Sequence, residues 1–427
     1  MMFKVFTLLL KRLWTRKLLL VIKNSRCIRS MIKMLNDWYE KTYICQIPQT
    51  NLVGHGSLDS LSNELNKLNA NKFLIVTDKF LASTPYYAKL TEQIKKASKE
   101  FVRFDGVIPN PTLECVLSAK KLYLENNCNG IISLGGGSAH DTTKCLALIV
   151  NSDKPVIKMQ GLNNAKTKTP EFICVNTTAG TGSEVTNVAV ITNEKTHFKM
   201  TLVDKQMNAS ISVNDSELML KLPKSSTAFT GADALVHAIE SYLSNIANPM
   251  SDSYDIEAIH LIFNNLPIAY NQPENTEARE NMAYAELLAG IGFNMTSLGF
   301  VHSMSHALSA VYNTPHGLAN AMLLPYVLKY ELKYPKIVKR LSLIAQTLGI
   351  NKQNDNENAS TFVDKVIELF STINIPNHLE IKNHEKLTNK EINILSKKAM
   401  KDFCGISNPV QFSKKNIIKI YKLALKN

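Results

Sequence analysis

Residues 130–150 constrain the fold more than any other stretch. An apolar, β-prone run, Gly130-Ile-Ile-Ser-Leu134, passes straight into Gly135-Gly-Gly137-Ser138 and then into a helical stretch, Ala139 to Val150. A strand feeding a helix through a glycine turn is the start of a β-α-β unit, and such units build parallel sheets covered by helices. Phe73-Leu-Ile-Val76, Phe172-Ile-Cys-Val175 and Val188-Ala-Val-Ile191 repeat the strand signal. The first half of the chain therefore reads as an α/β layer with a largely parallel sheet.

Beyond Asp215 the strand signals stop. Ala232 to Leu243, Tyr254 to Leu266, Ala278 to Phe293, much of Lys329 to Gln346, Ile392 to Lys401 and Lys415 to Leu425 carry helical periodicity. The pattern predicts an α/β domain over residues 34–218 and an all-helical domain over 219–427, after a basic extension at 1–33. The polar stretch Asn351 to Asn358 reads as a loop, and His260 as a structural residue on an apolar helix face.

A chain of 427 residues, 45% hydrophobic and 20% charged, is long enough for two such domains and ordinary for a soluble protein. The net charge of +13 invites a nucleic-acid reading until its distribution is seen: nine Lys or Arg and no acid fall in residues 1–36, leaving +4 for the rest. No zinc-finger, RNP or basic-aromatic pattern accompanies it, which sets nucleic acid aside. The apolar runs near the N-terminus are broken by Lys11, Arg12, Arg16 and Lys17, well short of the ~20 residues of a membrane span. Three readings of this segment stand: a mitochondrial presequence, a surface-lying basic helix, or upstream sequence read in from too early a start, with Met31 and Met34 just ahead of ordinary composition. The last is favoured. Seven scattered cysteines without a Cys-x-x-Cys point to a reducing compartment and away from disulfides or a thiolate zinc site, with Cys145 and Cys174 in the core.

Four of the ten histidines cluster in the helical half. Asp233 and His237 are four apart, as are His302 and His306, so each pair projects from one face of a helix about one turn apart. His316 stands between Pro315 and Gly317, which suits a ligand delivered from a loop or a helix start. Imidazoles with a carboxylate favour Fe(II) or Zn(II) over the oxygen-seeking Mg(II) and Ca(II). Either pair alone is more often a plain helix contact; two pairs with a Pro-His-Gly corner reverse those odds.

The glycine loop after Leu134 lets a backbone approach a pyrophosphate, with the following helix start aimed at the anion. As a bare G-x-G-x-x-G fingerprint it is weak, because His140 replaces the third glycine, and a structural strand-to-helix turn explains it equally well. Asn176-Thr-Thr178-Ala-Gly-Thr181-Gly-Ser183-Glu184 is a second loop of hydroxyls and glycines after a strand, readable as a phosphate-binding loop or a polar turn.

These segments together resemble the iron-containing, group III alcohol dehydrogenases. The resemblance rests on Gly231 to His237, His302 to His306, Pro315 to Asn320 and the two cofactor-type loops, and it runs from about Thr50 to about Tyr330. It implies a dehydroquinate synthase-like fold, Rossmann-like in its α/β half, with Asp233, His237, His302 and His316 as metal ligands and His306 as a nonligand histidine near the nicotinamide, able to relay a proton. It further implies NAD contacts from Asp78, Asn110, Gly135, Gly136, Gly137, Ser138, Asp141, Thr177, Thr178, Thr181, Ser183 and Lys199. Asp78, matching the residue that faces the adenosine ribose, favours NAD over NADP, since a carboxylate repels a 2′-phosphate. The implied activity is NAD-linked, metal-dependent interconversion of a small primary alcohol or diol and its aldehyde, in a cytoplasmic homodimer, or a mitochondrial one if the N-terminus is a presequence. The rival readings are a hydroxyacid-oxoacid transhydrogenase of the same family and a noncatalytic membrane-surface descendant; a phospho-sugar enzyme of related fold is disfavoured by the lack of a basic cluster near the metal motifs. Ser309 departs from the family, which usually has glycine there.

Overall fold

The computed structural model describes residues 42–425 except Lys166, His197, Asn383, Glu385 and Lys386. The extension predicted at 1–33 lies outside the described residues. Cys45–Asn427 forms one compact unit, which carries every element named below.

Among the described residues up to 214 there are nine strands, the first five of them separated by helices. They are β1 (Thr50–Val53), β2 (Lys72–Val76), β3 (Glu100–Phe104), β4 (Gly130–Gly135), β5 (Gly161–Leu162), β6 (Glu171–Asn176), β7 (Val188–Asn193), β8 (Phe198–Val203) and β9 (Ile211–Asn214). Six form one sheet in the order β1-β9-β6-β4-β2-β3, and every pair in it is parallel. Four helices flank it: α1 (Leu61–Leu65), α2 (Pro85–Lys96), α3 (Leu113–Glu125) and α4 (Gly137–Val150). Side chains alternate across a strand. Phe73, Ile75, Ile132, Leu134 and Ile173 accordingly pack with Leu61, Leu90 and Ile94 on one face, while Leu74, Val76, Ile131 and Cys174 pack with Val116, Cys145 and Leu146 on the other. A parallel sheet buried on both faces needs the continuous apolar runs seen in the sequence.

The sheet differs from expectation in two ways. Val188–Asn193 is not part of it; β7 pairs antiparallel with β8, and with β5 they make a separate three-stranded sheet. Strands β1, β3 and β9 escaped sequence reading for a physical reason. The edge strands β1 and β3 are only partly buried, so charges at Glu100 and Arg103 are tolerated there. Interior β9 carries Ser212 and Asn214, whose polar groups are satisfied by Asn51, Asn176 and Glu184.

From residue 224 the structure is helical: α5 (Lys224–Leu243), α6 (Pro249–Asn271), α7 (Thr276–Thr296), α8 (Phe300–Tyr312), α9 (His316–Glu331), α10 (Pro335–Thr347), α11 (Asp355–Thr372), α12 (Asn389–Ala399) and α13 (Lys414–Ala424). Helix α5 is central, since every residue from Gly231 to Leu243 is buried. The predicted 351–358 loop ends earlier than expected. Asn354 caps α11 by accepting from Glu357 N at 3.0 Å, and the acidic first turn, Asp355 and Glu357, complements the helix dipole. Ser309 fits inside α8 with its hydroxyl buried and without a hydrogen-bond partner. No helix among the described residues is long and apolar enough to cross a membrane.

The loop after β6 docks on α7 through a glycine pair. Gly182 has φ +60°, and a Cβ there would lie 2.5 Å from the Gly290 Cα. Its N–H donates to Glu286 Oε1 at 2.6 Å. Glu286 and Glu184 are both fully buried, and burial pushes both carboxyls up, that of Glu286 well above its ordinary value, with the neighbouring Glu184 charge adding to the rise. Asn176 Nδ2 lies 3.3 and 3.2 Å from the two Glu286 oxygens.

Candidate metal and cofactor site

Asp233 and His237 sit one turn apart on α5, His302 lies in the first turn of α8, and His316 opens α9 after Pro315. One ligand atom from each of the four lies within 4.8 Å of the others. Asp233 Oδ1 is 4.0 Å from His237 Nε2 and 3.8 Å from the Nε2 atoms of His302 and His316. Gly317 makes the last approach attainable. A Cβ there would stand 2.1 Å from the Phe229 carbonyl oxygen and 3.1 Å from Asp233 Cβ, so only glycine lets α9 begin this close to α5.

The outer nitrogens are held so that the inner ones face the cluster. His302 Nδ1 lies 2.6 Å from Glu240 Oε2, and His237 Nδ1 lies 3.1 Å from the Gly180 carbonyl. Both oxygens require N–H donors, which leaves each Nε2 with its lone pair inward. Burial pushes His302 down to about 3 and His237 down to about 4, with Asp233 opposing the shift in each. His316, whose side chain is 26% accessible, is also lowered, first by burial and then by His306. Neutral imidazoles and a carboxylate oxygen are the protonation states that bind a borderline divalent metal. The residues fit an iron or zinc ion.

His306 lies beside this cluster rather than in it. Its ring stacks on His316 with centroids 5.1 Å apart and meets His302 edge-on at 5.9 Å. Its Nδ1 lies 2.9 Å from Asp402 Oδ2, which orients the other ring nitrogen. Burial would raise Asp402, yet His306 and the Cys404 amide hold it below the usual carboxylate range.

On the sheet side, Gly136 caps α4 and Gly135 has φ +154°. A Cβ on Gly136 would meet Thr178 Oγ1 at 2.6 Å, and one on Gly137 would meet Thr181 Cγ2 at 2.9 Å. The glycine loop and the hydroxyl loop thus interlock, tied also by Thr177 N donating to the Gly135 carbonyl at 3.0 Å. One cleft is lined by Asn110, Gly137, Ser138, Asp141, Thr181, Ser183 and Lys199 together with the four metal-type residues and His306. Gly135, Gly136, Thr177 and Thr178 do not line it. Asp78, at the end of β2, does not line it either, and its Oδ1 accepts from Leu81 N at 2.8 Å.

Some candidates are more structural than the sequence suggests. Asp141 accepts from Ser183 Oγ at 2.7 Å and from Val190 N at 2.9 Å, so both its oxygens are engaged. Fully buried Lys144 donates to Ser183, Thr186 and the Val188 carbonyl. Asn110 Nδ2 reaches Asn313 Oδ1 at 3.0 Å, linking the sheet side to the end of α8. Lys199 is buried, and burial lowers it to about 8 against the pull of Asp141, Asp402 and Asp233. His260 bonds the Thr347 carbonyl and lies outside the cleft.

Sequence reasoning missed Glu240, Asp402 and Asn320. Asn320 was detectable, since it follows His316 by one helical turn; its Nδ2 lies 2.6 Å from Asp233 Oδ1, 3.0 Å from His302 Nε2 and 3.2 Å from His316 Nε2. Glu240 and Asp402 had no local signal, for Asp402 is 96 residues from the histidine it orients.

Known proteins resemble this chain in sequence and fold. Residues 48–216 match the family model described as iron-containing alcohol dehydrogenase, and residues 227–425 match that of the Fe-containing alcohol dehydrogenase family, C-terminal. The chain is 38% identical over 379 residues to "Alcohol dehydrogenase 4" of Schizosaccharomyces pombe, covering 89% of this chain and 88% of that protein. It is 37% identical over 384 residues to "1,3-propanediol dehydrogenase" of Citrobacter freundii, covering 88% and 97%. The solved alcohol dehydrogenase from Oenococcus oeni superposes with a TM-score of 0.84 at 36% identity, over 90% of this chain and all of that one. A donor set suited to iron, facing a glycine-rich strand-to-helix loop across one cleft, thus coincides with sequence and fold likeness over nearly the whole described chain, which belongs to the iron-containing alcohol dehydrogenase family.

Proposed function

We propose that this chain oxidises a small primary alcohol or diol to its aldehyde with NAD, and runs the reverse reduction, at the cleft between α4 and the α5, α8 and α9 cluster. The observation that carries this is the shared cleft, in which Gly137 and Ser138 line one side while Asp233, His237, His302 and His316 line the other. Fe(II), or Zn(II), held by those four residues supplies Lewis acidity towards the substrate oxygen. NAD supplies the hydride acceptor.

The chain's own residues have separate tasks. The start of α4, with its free N–H groups and dipole, is suited to the cofactor pyrophosphate. Asp78 at the end of β2 disfavours a 2′-phosphate and so selects NAD. Asp402 orients His306 through the 2.9 Å contact, placing a proton acceptor beside the metal-type cluster. Phe293 and Leu298 give the cleft an apolar wall that limits water around the reacting carbon. The small-alcohol class is supported by likeness to relatives named for propanediol, methanol and lactaldehyde.

The division into 34–218 and 219–427 belongs to the same reading, supported by the end of strand structure at Asn214 and the start of α5 at Lys224. A homodimer is proposed on family likeness. A reducing compartment is proposed because all six described cysteines are free.

The test is NADH formation by Fe(II)- or Zn(II)-loaded protein across methanol, ethanol, 1,2-propanediol and 1,3-propanediol. Turnover with at least one is expected. Inertness towards all four, with turnover only when a hydroxyacid and an oxoacid are supplied together, would replace this reading by transhydrogenation.

A further inference from the structure

Asn320 is fully buried on the second turn of α9. Its side-chain nitrogen points into the ligand cluster, 2.6 Å from Asp233 Oδ1, 3.0 Å from His302 Nε2 and 3.2 Å from His316 Nε2. The two shortest contacts have an acceptor lone pair at the far end. Asp233 is a carboxylate, and His302 has its Nδ1–H committed to Glu240. The amide oxygen of Asn320 is buried and has no hydrogen-bond partner.

The orientation of this amide follows from those neighbours. Turned over, it would set Oδ1 against the Asp233 carboxylate oxygen and the His302 Nε2 lone pair, two acceptors with no proton between them. With Nδ2 inward, its two hydrogens serve the acceptors and Oδ1 carries the deficit. An unsatisfied buried acceptor is unfavourable by itself, so the arrangement holds only because the inward bonds outweigh it.

The same lone pairs are the ones a divalent cation requires. They cannot serve an amide hydrogen and a metal at once, and the positive end of an N–H is repelled by a cation.

We infer that Asn320 is an internal competitor for the metal: its amide neutralises the ligand cluster's acceptors, and metal binding requires it to turn away. The ligands are thereby kept gathered and hydrogen-bonded, at the expense of affinity. This makes Asn320 a determinant of metal exchange that lies outside the ligand set itself. The inference rests on the metal reading of Asp233, His237, His302 and His316.

The test compares metal-stripped wild type with Asn320→Ala, measuring the Co(II) dissociation constant by competition with a chromophoric chelator and the melting temperature of each protein with and without metal. The expected result is a melting temperature lowered in the stripped variant and Co(II) binding tighter by about tenfold, the size of one net hydrogen bond. Asn320→Ser, whose side chain ends a bond earlier, should move in the same direction and serves if the alanine variant does not fold. A merely structural role would lower stability with and without metal alike and leave affinity unchanged or weaker; that outcome overturns the inference. Failure of both wild type and variants to bind Co(II) would instead overturn the metal reading beneath it.

Discussion

Glu240 Oε2 and His302 Nδ1 lie 2.6 Å apart, so a buried carboxylate on α5 sets the tautomer of an imidazole on α8. The carboxylate is itself held by backbone, with Val301 N donating to Oε1 at 2.7 Å. Burial pushes it up to about 7, and the Val301, Gly299 and His302 amides work against that rise. Every oxygen face of Glu240 therefore meets a donor.

Glu240→Gln should disable the site without unfolding the helix. A glutamine must point its NH₂ either at the Val301 N–H or at His302 Nδ1. The second choice is milder, and it turns the imidazole into the tautomer with a proton on Nε2, which cannot ligate. Metal affinity should fall about 10- to 100-fold, the usual scale for an outer partner of a metal-bound histidine. Isothermal titration with Co(II), beside an unchanged circular dichroism spectrum, checks this; unaltered affinity would count against the tautomer argument.

The carboxyl pair under the cofactor loop makes stability fall with rising pH. Burial raises both Glu184 and Glu286 above the ordinary glutamate value of 4.5. A raised folded-state value contributes stability that is complete below about 4.5 and is lost as pH rises towards the folded-state values. Glu286→Gln keeps an oxygen for Gly182 N and offers an NH₂ to Glu184. The variant should be more stable than wild type at pH 8, by about 1 kcal/mol, and the gap should close at pH 5. Urea midpoints at the two pH values decide it, and a variant less stable at both would contradict the raised values of the two carboxyls.

His140 acts at the acid end. It stands where a third loop glycine was sought, is fully buried, and lies 2.8 Å from Ser133 Oγ on β4. Burial and Lys144 lower it from 6.5 to about 3. A depressed folded-state value gives stability that is complete above 6.5 and is lost as pH falls from 6.5 towards 3, with a slope of at most about 1.4 kcal/mol per pH unit. His140→Gln should lose one proton's worth of that slope between pH 6.5 and pH 5 when unfolding free energies are compared. An identical slope in the two proteins would show that His140 titrates normally.

Much of this architecture is legible in residue order, and the exceptions share a cause. Phe73–Val76 and Gly130–Leu134 announce themselves because a sheet buried on both faces demands continuous apolar runs, and Asp233, His237, His302 and His316 do so because helical spacing puts side chains on one face. The strand Ile211–Asn214 does not, since its polar residues are satisfied by partners distant in sequence, Asn51 and Glu184 among them. Glu240, Asp402 and Asp141 belong to the same class. Their roles are set by what the fold brings against them. Asp141 lines the cleft, and its two oxygens also accept from Ser183 Oγ and Val190 N, partners far from it in sequence.

The most direct test of the whole account is the metal content and NAD-linked alcohol oxidation of His302→Ala, purified and reconstituted beside wild type, with NAD binding measured separately by fluorescence. The account predicts loss of the bound metal and of turnover by at least about a thousandfold, with NAD affinity changed by less than about threefold, because the glycine loop lies on the opposite wall of the cleft. A variant that still oxidises alcohols at near the wild-type rate, with or without metal, would contradict it.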